Sequence, residues 1–278
     1  MPRHRAAALT AGLLLTTALT TALTACGSTG GGQAQRAMST PSGQSGSGQD
    51  GSGQDGSGQL PQGSEPTHLD PADFTTRIDN PYWPMAPGSR WVYRESDLAG
   101  GVQRVEVTVT DKTRKIANGV EARVVHDVVT EDGQLVEDTY DWYAQDRQGN
   151  IWYLGEDTKE YEKGKNGKNS KVVSTAGSWE AGVDGAQPGL IMPADPEVGM
   201  SYRQEYYAGE AEDAGKILST DEQAQVPFGH FRDVLLTKDY TAIEPKVLEY
   251  KLYAKGVGPV LVLGVSGGSG HEELLRFD

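Results

Sequence analysis

Val105-Glu106-Val107-Thr108-Val109-Thr110 alternates valine with a polar residue at every step. A period of two places the valines on one face and Glu106, Thr108 and Thr110 on the other, as in a half-buried strand. Asn118-Gly119 follows, a pair that favours the left-handed backbone of a two-residue hairpin turn. Val120 to Thr130 then returns the chain, Asp132-Gly133 turns it again, and Leu135 to Gln145 continues. A tight Asp146-Arg147-Gln148-Gly149 turn leads into Asn150 to Gly155. Short alternating runs joined by turn signals read as an antiparallel meander.

The pattern extends outward in both directions. Upstream, Arg90 to Glu95 is a strand. Downstream, strands are expected at Tyr202 to Tyr207, Lys216 to Val226, Phe231 to Tyr240, Val247 to Ala254 and Val260 to Val265. His271 to Phe277 is a last strand or a helical turn. Lys159 to Lys171 is rich in Lys, Gly and Asn and reads as a loop, and Trp179 to Pro196 is broken by glycines and prolines. Asp70-Pro71-Ala72-Asp73 has a capping residue and a proline at the first helical position, which predicts a short N-terminal helix to about Arg77. The fold class expected is mainly β: a single antiparallel meander of about ten strands forming a bent sheet or incomplete barrel, with a β-sandwich as the alternative. Either arrangement hides the sheet edges.

Few residues carry a chemical signal. Gly264-Val265-Ser266-Gly267-Gly268 matches a nucleophile elbow. That elbow needs a helix after it and a distant histidine, and only ten residues remain. His68, His126, His230 and His271 lack metal-ligand spacing. His126, in phase with Ala122, Val124 and Val128, is expected to be buried and hydrogen-bonded. The carboxylates, among them Glu131, Asp132, Glu137, Asp138, Asp141, Asp146, Glu156, Asp157, Glu210, Glu212 and Asp213, lack the spacing of a calcium loop and read as solvated. No catalytic residue, metal site or cofactor is expected. The aromatic residues are the more informative set. Tyr140, Trp142, Trp152 and Tyr250 are the candidates for contacting an apolar or sugar ligand on a curved sheet.

The N-terminus carries a different kind of message. Arg3 and Arg5 precede the apolar run Ala6 to Ala22, and Leu23-Thr24-Ala25-Cys26 ends it with the only cysteine of the chain. This is similar to the lipobox of bacterial lipoproteins. The resemblance implies a signal peptide over residues 1–25, cleavage before Cys26 and a diacylglycerol thioether on Cys26, with acylation of the new terminus. Each buried acyl methylene contributes about 0.8 kcal/mol, so two chains anchor stably. The partner implied is the membrane, and the location is the outer face of the bacterial cytoplasmic membrane. From residue 26 to 66 follows a tether with the repeat Ser47-Gly48-Gln49-Asp50-Gly51, Ser52-Gly53-Gln54-Asp55-Gly56. A polar tether of this composition spans about 35 Å on average. The globular part is residues 67–278.

Asn80-Pro81-Tyr82-Trp83-Pro84, Pro87-Gly88-Ser89-Arg90-Trp91-Val92-Tyr93 and Tyr253-Ala254-Lys255-Gly256-Val257-Gly258 resemble segments of secreted bacterial β-rich proteins of uncharacterised function. That resemblance implies a curved sheet like that of periplasmic lipid carriers, and it transfers no catalytic residue.

The chain carries 25 basic and 39 acidic residues, and loss of Arg3 and Arg5 with the signal leaves 23 against 39, a net of −16. Such a surface is repelled by phosphate backbones, so nucleic acid is not a partner class. The function expected is a non-catalytic binding or carrier module for an apolar or amphiphilic ligand. The alternatives are a structural adaptor that contacts another protein and, third, a hydrolase of wall polymers.

Overall fold

The structure is a computed structural model that describes residues 60–97, 100–163, 171–267 and 270–278. Cys26, the signal and the tether up to residue 59 lie outside the described residues, as does Gly268 of the elbow-like stretch. The strands are β1 (Phe74–Thr75), β2 (Arg90–Ser96), β3 (Val102–Lys115), β4 (Glu121–Glu131), β5 (Gln134–Asp146), β6 (Ile151–Glu162), β7 (Lys171–Ser174) and β8 (Trp179–Glu180). They continue with β9 (Gly189–Met192), β10 (Ser201–Arg203), β11 (Asp213–Val226), β12 (Gly229–Thr241), β13 (Leu248–Ala254), β14 (Gly258–Ser266) and β15 (His271–Phe277).

All 15 strands belong to one sheet, in the order β10-β11-β12-β13-β14-β15-β2-β3-β4-β5-β6-β7, with β1 on β5 and both β8 and β9 on β6. Every pairing is antiparallel. Sequence neighbours are sheet neighbours along the whole path except at β15 and β2, where the last strand pairs the first long one through Glu272 opposite Glu95 and Leu274 opposite Tyr93. The break in the path therefore falls in mid-chain, in the irregular stretch between β7 and β10. There the sheet ends approach by isolated contacts: Gln187 N–H donates to Tyr206 O at 2.7 Å, and Arg203 Nη2 to Pro188 O at 2.7 Å. No ladder joins them, and the sheet is open.

Four expectations change. The sheet has 15 strands, not about ten, because the irregular middle contributes β7, β8 and β9, and because β1 is a two-residue ladder too short to show a period. The expected N-terminal helix is one three-residue 3-10 turn, Pro71–Asp73, capped by the Asp70 carboxylate on Ala72 N at 2.9 Å. Phe74 and Thr75 then leave helical geometry to pair with β5. The loop expected from Lys159 begins later, since β6 runs on through Lys159 to Glu162. A sandwich of two sheets is replaced by the single sheet.

One face of the sheet is buried and is called here the inner face. At one end it is filled with large side chains: Trp91, Tyr93, Tyr143, Tyr153, Leu235, Tyr253, Val260 and Leu274, each at most 2% exposed. The proline-rich segment Asn80–Pro87 closes that end. Trp83 stands between Tyr143 and Tyr253, with ring centroids 5.8 Å from each, so it ties β5 to β13. Asn80 holds the segment in place: its Nδ2 donates to Gly149 O and Pro193 O at 2.9 and 3.0 Å, and its Oδ1 accepts from Tyr82 N at 2.9 Å.

The two stretches that carried the family resemblance meet here. Gly256 N–H donates to Pro81 O at 2.8 Å, Trp91 Nε1 to Val257 O at 2.7 Å and Tyr93 Oη to Pro259 O at 3.0 Å. Gly258 has φ +108°, and a Cβ there would lie 2.8 Å from Trp83 Cδ1, so only glycine fits both the turn and the ring.

Candidate functional site: an acidic inner end and its recess

Followed along the strands, the inner face changes character. β2 reads Trp91, Tyr93, Glu95; β13 read backwards gives Tyr253, Lys251, Glu249; β12 gives Leu235, Thr237, Asp239, Thr241; β15 read backwards gives Leu274, Glu272. On the other half, β4 brings Asp127, β5 brings Asp141, Thr139 and Glu137, and β6 brings Glu156 and Thr158. Eight carboxylates on these strands and on β11, namely Asp127, Glu137, Asp141, Glu156, Asp213, Asp239, Glu249 and Glu272, are all at most 6% exposed, as is Glu205 just beyond β10. Among the described residues Lys251, 5% exposed, is the only lysine buried with them.

On the β5–β6 side the acids are held by hydroxyls. Tyr153 Oη donates to Asp141 Oδ1 at 2.7 Å. Thr158 Oγ1 donates to Glu156 Oε2 at 2.6 Å, and Thr139 Oγ1 lies 3.1 Å from both Glu137 Oε1 and Thr158 Oγ1. Burial pushes Glu137 up to about 8 and Asp141 up to about 7, against the pull of their hydroxyl donors. Burial raises Glu156 well above the usual carboxylate range, and the neighbouring Asp141 adds to this.

On the β10–β13 side one acid is fully paired. Asp239 takes Lys251 Nζ at 3.0 Å, Gln204 Nε2 at 3.1 Å and Thr237 Oγ1 at 2.7 Å. Burial alone would lower the Lys251 ammonium, but Asp239 and Glu249 hold it charged. Glu205 and Asp213 are hydrogen-bonded to each other, and Trp179 Nε1 donates to Glu205 Oε2 at 2.9 Å. Burial, then repulsion from Asp213, raises Glu205 well above the usual carboxylate range, and burial brings Asp213 up to about 7.

Glu205 and Asp213 line a recess of about 440 Å³ together with Arg203, Glu212, Tyr206, Tyr240, Ala214 and Ala242. One wall is the end of the tether, Gln62, Gly63 and Ser64. That strap is fixed by Arg203, 2% exposed, whose Nη1 donates to Gly63 O and Glu65 O at 2.8 Å and whose Nη2 donates to Thr67 Oγ1 at 2.8 Å. Its backbone N–H donates to Pro61 O at 2.7 Å.

The aromatic candidates stand elsewhere. Tyr140, Trp142 and Trp152 share the outer face of β5 and β6, opposite Tyr143 and Tyr153. Tyr140 stacks on His126 at 4.3 Å, Arg114 covers Trp142 with Cζ 3.9 Å from the ring, and Trp152 packs on Phe74 and donates to Asp146 Oδ2 at 2.8 Å. Tyr250 is on the outer face of β13, opposite Lys238 and Leu263. The structure brings the first three onto one face and leaves Tyr250 on another part of the sheet.

His126 is half-buried and outward-facing, 2.6 Å from Asp138, because the core face of β4 carries Val125, Asp127 and Val129. Ser266 Oγ donates to Lys246 O at 2.7 Å, which occupies the hydroxyl of the elbow-like stretch. Glu137, Asp141, Asp146, Glu156 and Asp213, expected to be solvated, are buried. Asp127, Glu205, Asp239, Glu249 and Glu272 are the residues that sequence reasoning missed. The available signal was phase: Glu249 alternates with Lys251 and Tyr253, and Glu272 with Leu274, so each shares a face with core residues.

No family model matches the chain, and no curated protein matches it. Among solved structures the chain is similar to a crystal structure of a candidate lipoprotein from Parabacteroides distasonis. The identity is 12%, with 71% of this chain and 98% of that one covered and a TM-score of 0.37. A likeness at that level leaves fold and function to be argued from the residues themselves.

Proposed function

We propose that this protein is a non-catalytic binding module, exported and held at the outer face of the cytoplasmic membrane by lipid on Cys26. It takes a small amphiphilic molecule in the recess beside β10, β11 and β12, on a sheet that acts as an incomplete barrel. The observation that carries this reading is the lining of the recess: Tyr206, Tyr240, Ala214 and Ala242 offer an apolar side, and Glu205, Glu212 and Asp213 offer a polar one. Its volume of about 440 Å³ falls within the roughly 300–1,000 Å³ of small-molecule sites. Arg203 gives Nη1 to the strap and Nη2 to the strap and Pro188 O, while its Nε is left without a partner.

The test is a mass spectrum of the full chain, isolated gently from its membrane, under native and then denaturing conditions. A ligand mass that leaves on denaturation is the expected result. A bare chain, still bare after incubation with total lipid extract, overturns the proposal.

A second reading, an adaptor that docks another protein, is favoured by one patch. Val102, Leu263 and Val265 are exposed by 52%, 37% and 47%, and the register aligns Val102, Ser96, His271 and Leu263 across β3, β2, β15 and β14. Crosslinking from position 263 at the membrane surface tests it: a specific protein adduct supports it, and its absence sets it aside.

A further inference from the structure

We infer that Glu249 and Glu272 form a second site, separate from the recess, for the head group of a primary amine. Glu249 on β13 and Glu272 on β15 are 4% and 2% exposed. They lie two strands apart and two residues out of register, since Glu249 pairs Gly264 and Glu272 pairs Val262 on β14, so about 12 Å separates their backbones. Gly264 adds no side chain beside Glu249, and Val262 stands opposite Glu272.

Among the described residues Glu272 is the only buried carboxylate with both oxygens unpartnered. Neither oxygen of Glu272 has a hydrogen-bond partner, and neither does Glu249 Oε2. Asp239, equally buried one strand further on, has three donors, whereas Gln103 Oε1, Tyr143 Oη and Tyr202 Oη elsewhere in the interior also lack a partner. A buried carboxylate without a partner is strongly disfavoured, and natural interiors rarely retain one without a use. Lys251 makes its hydrogen-bonded contact with Asp239, at 3.0 Å, and acts on Glu249 and Glu272 through its charge alone.

Three unpartnered acceptors on two acids match the three N–H donors of a primary ammonium. A bare divalent ion is a poorer match. Among the described residues no three His, Cys, Asp or Glu side chains converge to hold a metal, and such ions want six or more oxygens. Burial brings Glu249 up to about 8 and raises Glu272 well above its usual range, with Glu95 adding to both and Lys251 opposing both. The groups that face the pair are Glu95 and Tyr93 on β2, Lys251 on β13, Asp239 on β12 and Asp213 on β11. Binding an ammonium ion therefore releases a proton.

The experiment is calorimetric titration of the full chain in mild detergent at pH 7 with hexylammonium chloride, repeated in two buffers of different ionisation heat. Tetramethylammonium, which has no N–H, and calcium chloride are the comparisons. The variants are the double substitution E249Q/E272Q, which keeps side-chain shape and removes the buried charge, and Y206A in the recess. Saturable hexylammonium binding with proton release is expected. Affinity should fall at least tenfold in E249Q/E272Q and stay unchanged in Y206A, with a cooperative melt showing that each variant is folded. The inference is overturned if no saturable binding occurs or if the double variant binds equally well. It is also overturned if tetramethylammonium or calcium acts as strongly, or if only Y206A loses binding, which would place the amine in the recess.

Discussion

The two ends of the inner face are built from the same strands and do opposite things. At the aromatic end the large side chains pack ring against ring: Trp83 touches Tyr143 and Tyr253, and Tyr93 and Trp91 donate to the turn at 257–259, while Tyr143 Oη is left without a hydrogen-bond partner. At the acidic end the strands carry carboxylates at the same depth, with one lysine among them and three oxygens of Glu249 and Glu272 unpartnered. One end supplies the stability of the sheet. The other end gives some of that stability up, which is how binding sites are distinguished from packing.

The sharpest way to break the contrast is at the aromatic end. Trp83→Ala removes the ring that joins β5 to β13 and should cost about 3–5 kcal/mol in denaturant unfolding. A loss under 1 kcal/mol would mean that the sheet is not held there. At the acidic end, Lys251→Met strips Asp239 of its cation. About 3 kcal/mol should be lost in denaturant unfolding at pH 8, by the logic of half-broken buried ion pairs.

A pH titration of stability sharpens the contrast further. Glu137 and Glu249 are raised to about 8, and Asp141 and Asp213 to about 7. A carboxyl raised in the folded state contributes most below its unfolded pKa of about 4, and the contribution is lost as pH climbs through the folded value. The thermal midpoint should therefore be highest near pH 4–5 and fall by several degrees up to pH 8.5. A midpoint that rises over that window would show the acids to be ionised and paired. The smallest effect belongs to the outer face. Tyr140→Ala, which removes only the stack on half-exposed His126, should change stability by less than about 1 kcal/mol.

Most of the strand layout was legible in the sequence because it rests on local signals. The valines of β3, the Asn118-Gly119 and Asp132-Gly133 turns and the proline-rich Asn80–Pro87 segment declare themselves within a few residues. Asp132 and Gly133 both take positive φ, 53° and 75°, as that turn requires. What was not legible depends on partners far away in the chain. β1, β8 and β9 exist only because β5 and β6 offer edges to pair with. Tyr140, Trp142 and Trp152 fall on the outer face because β5 turns Tyr143 and Asp141 inward. The acids were hidden for a chemical reason: a carboxylate in a strand looks the same in sequence whether its face is wet or buried. Only phase with Tyr253, Leu274 or Tyr143 tells them apart, and that phase carries weight only once the core face is known.

The most direct test of the division between the two ends is a urea unfolding curve of Glu272→Gln at pH 8, with no amine present. Glu272 is 2% exposed with neither oxygen partnered, so neutralising it should raise stability by at least about 1 kcal/mol at unchanged slope. A loss of similar size would show that the acidic end is structural after all, and would contradict the division on which the amine site rests.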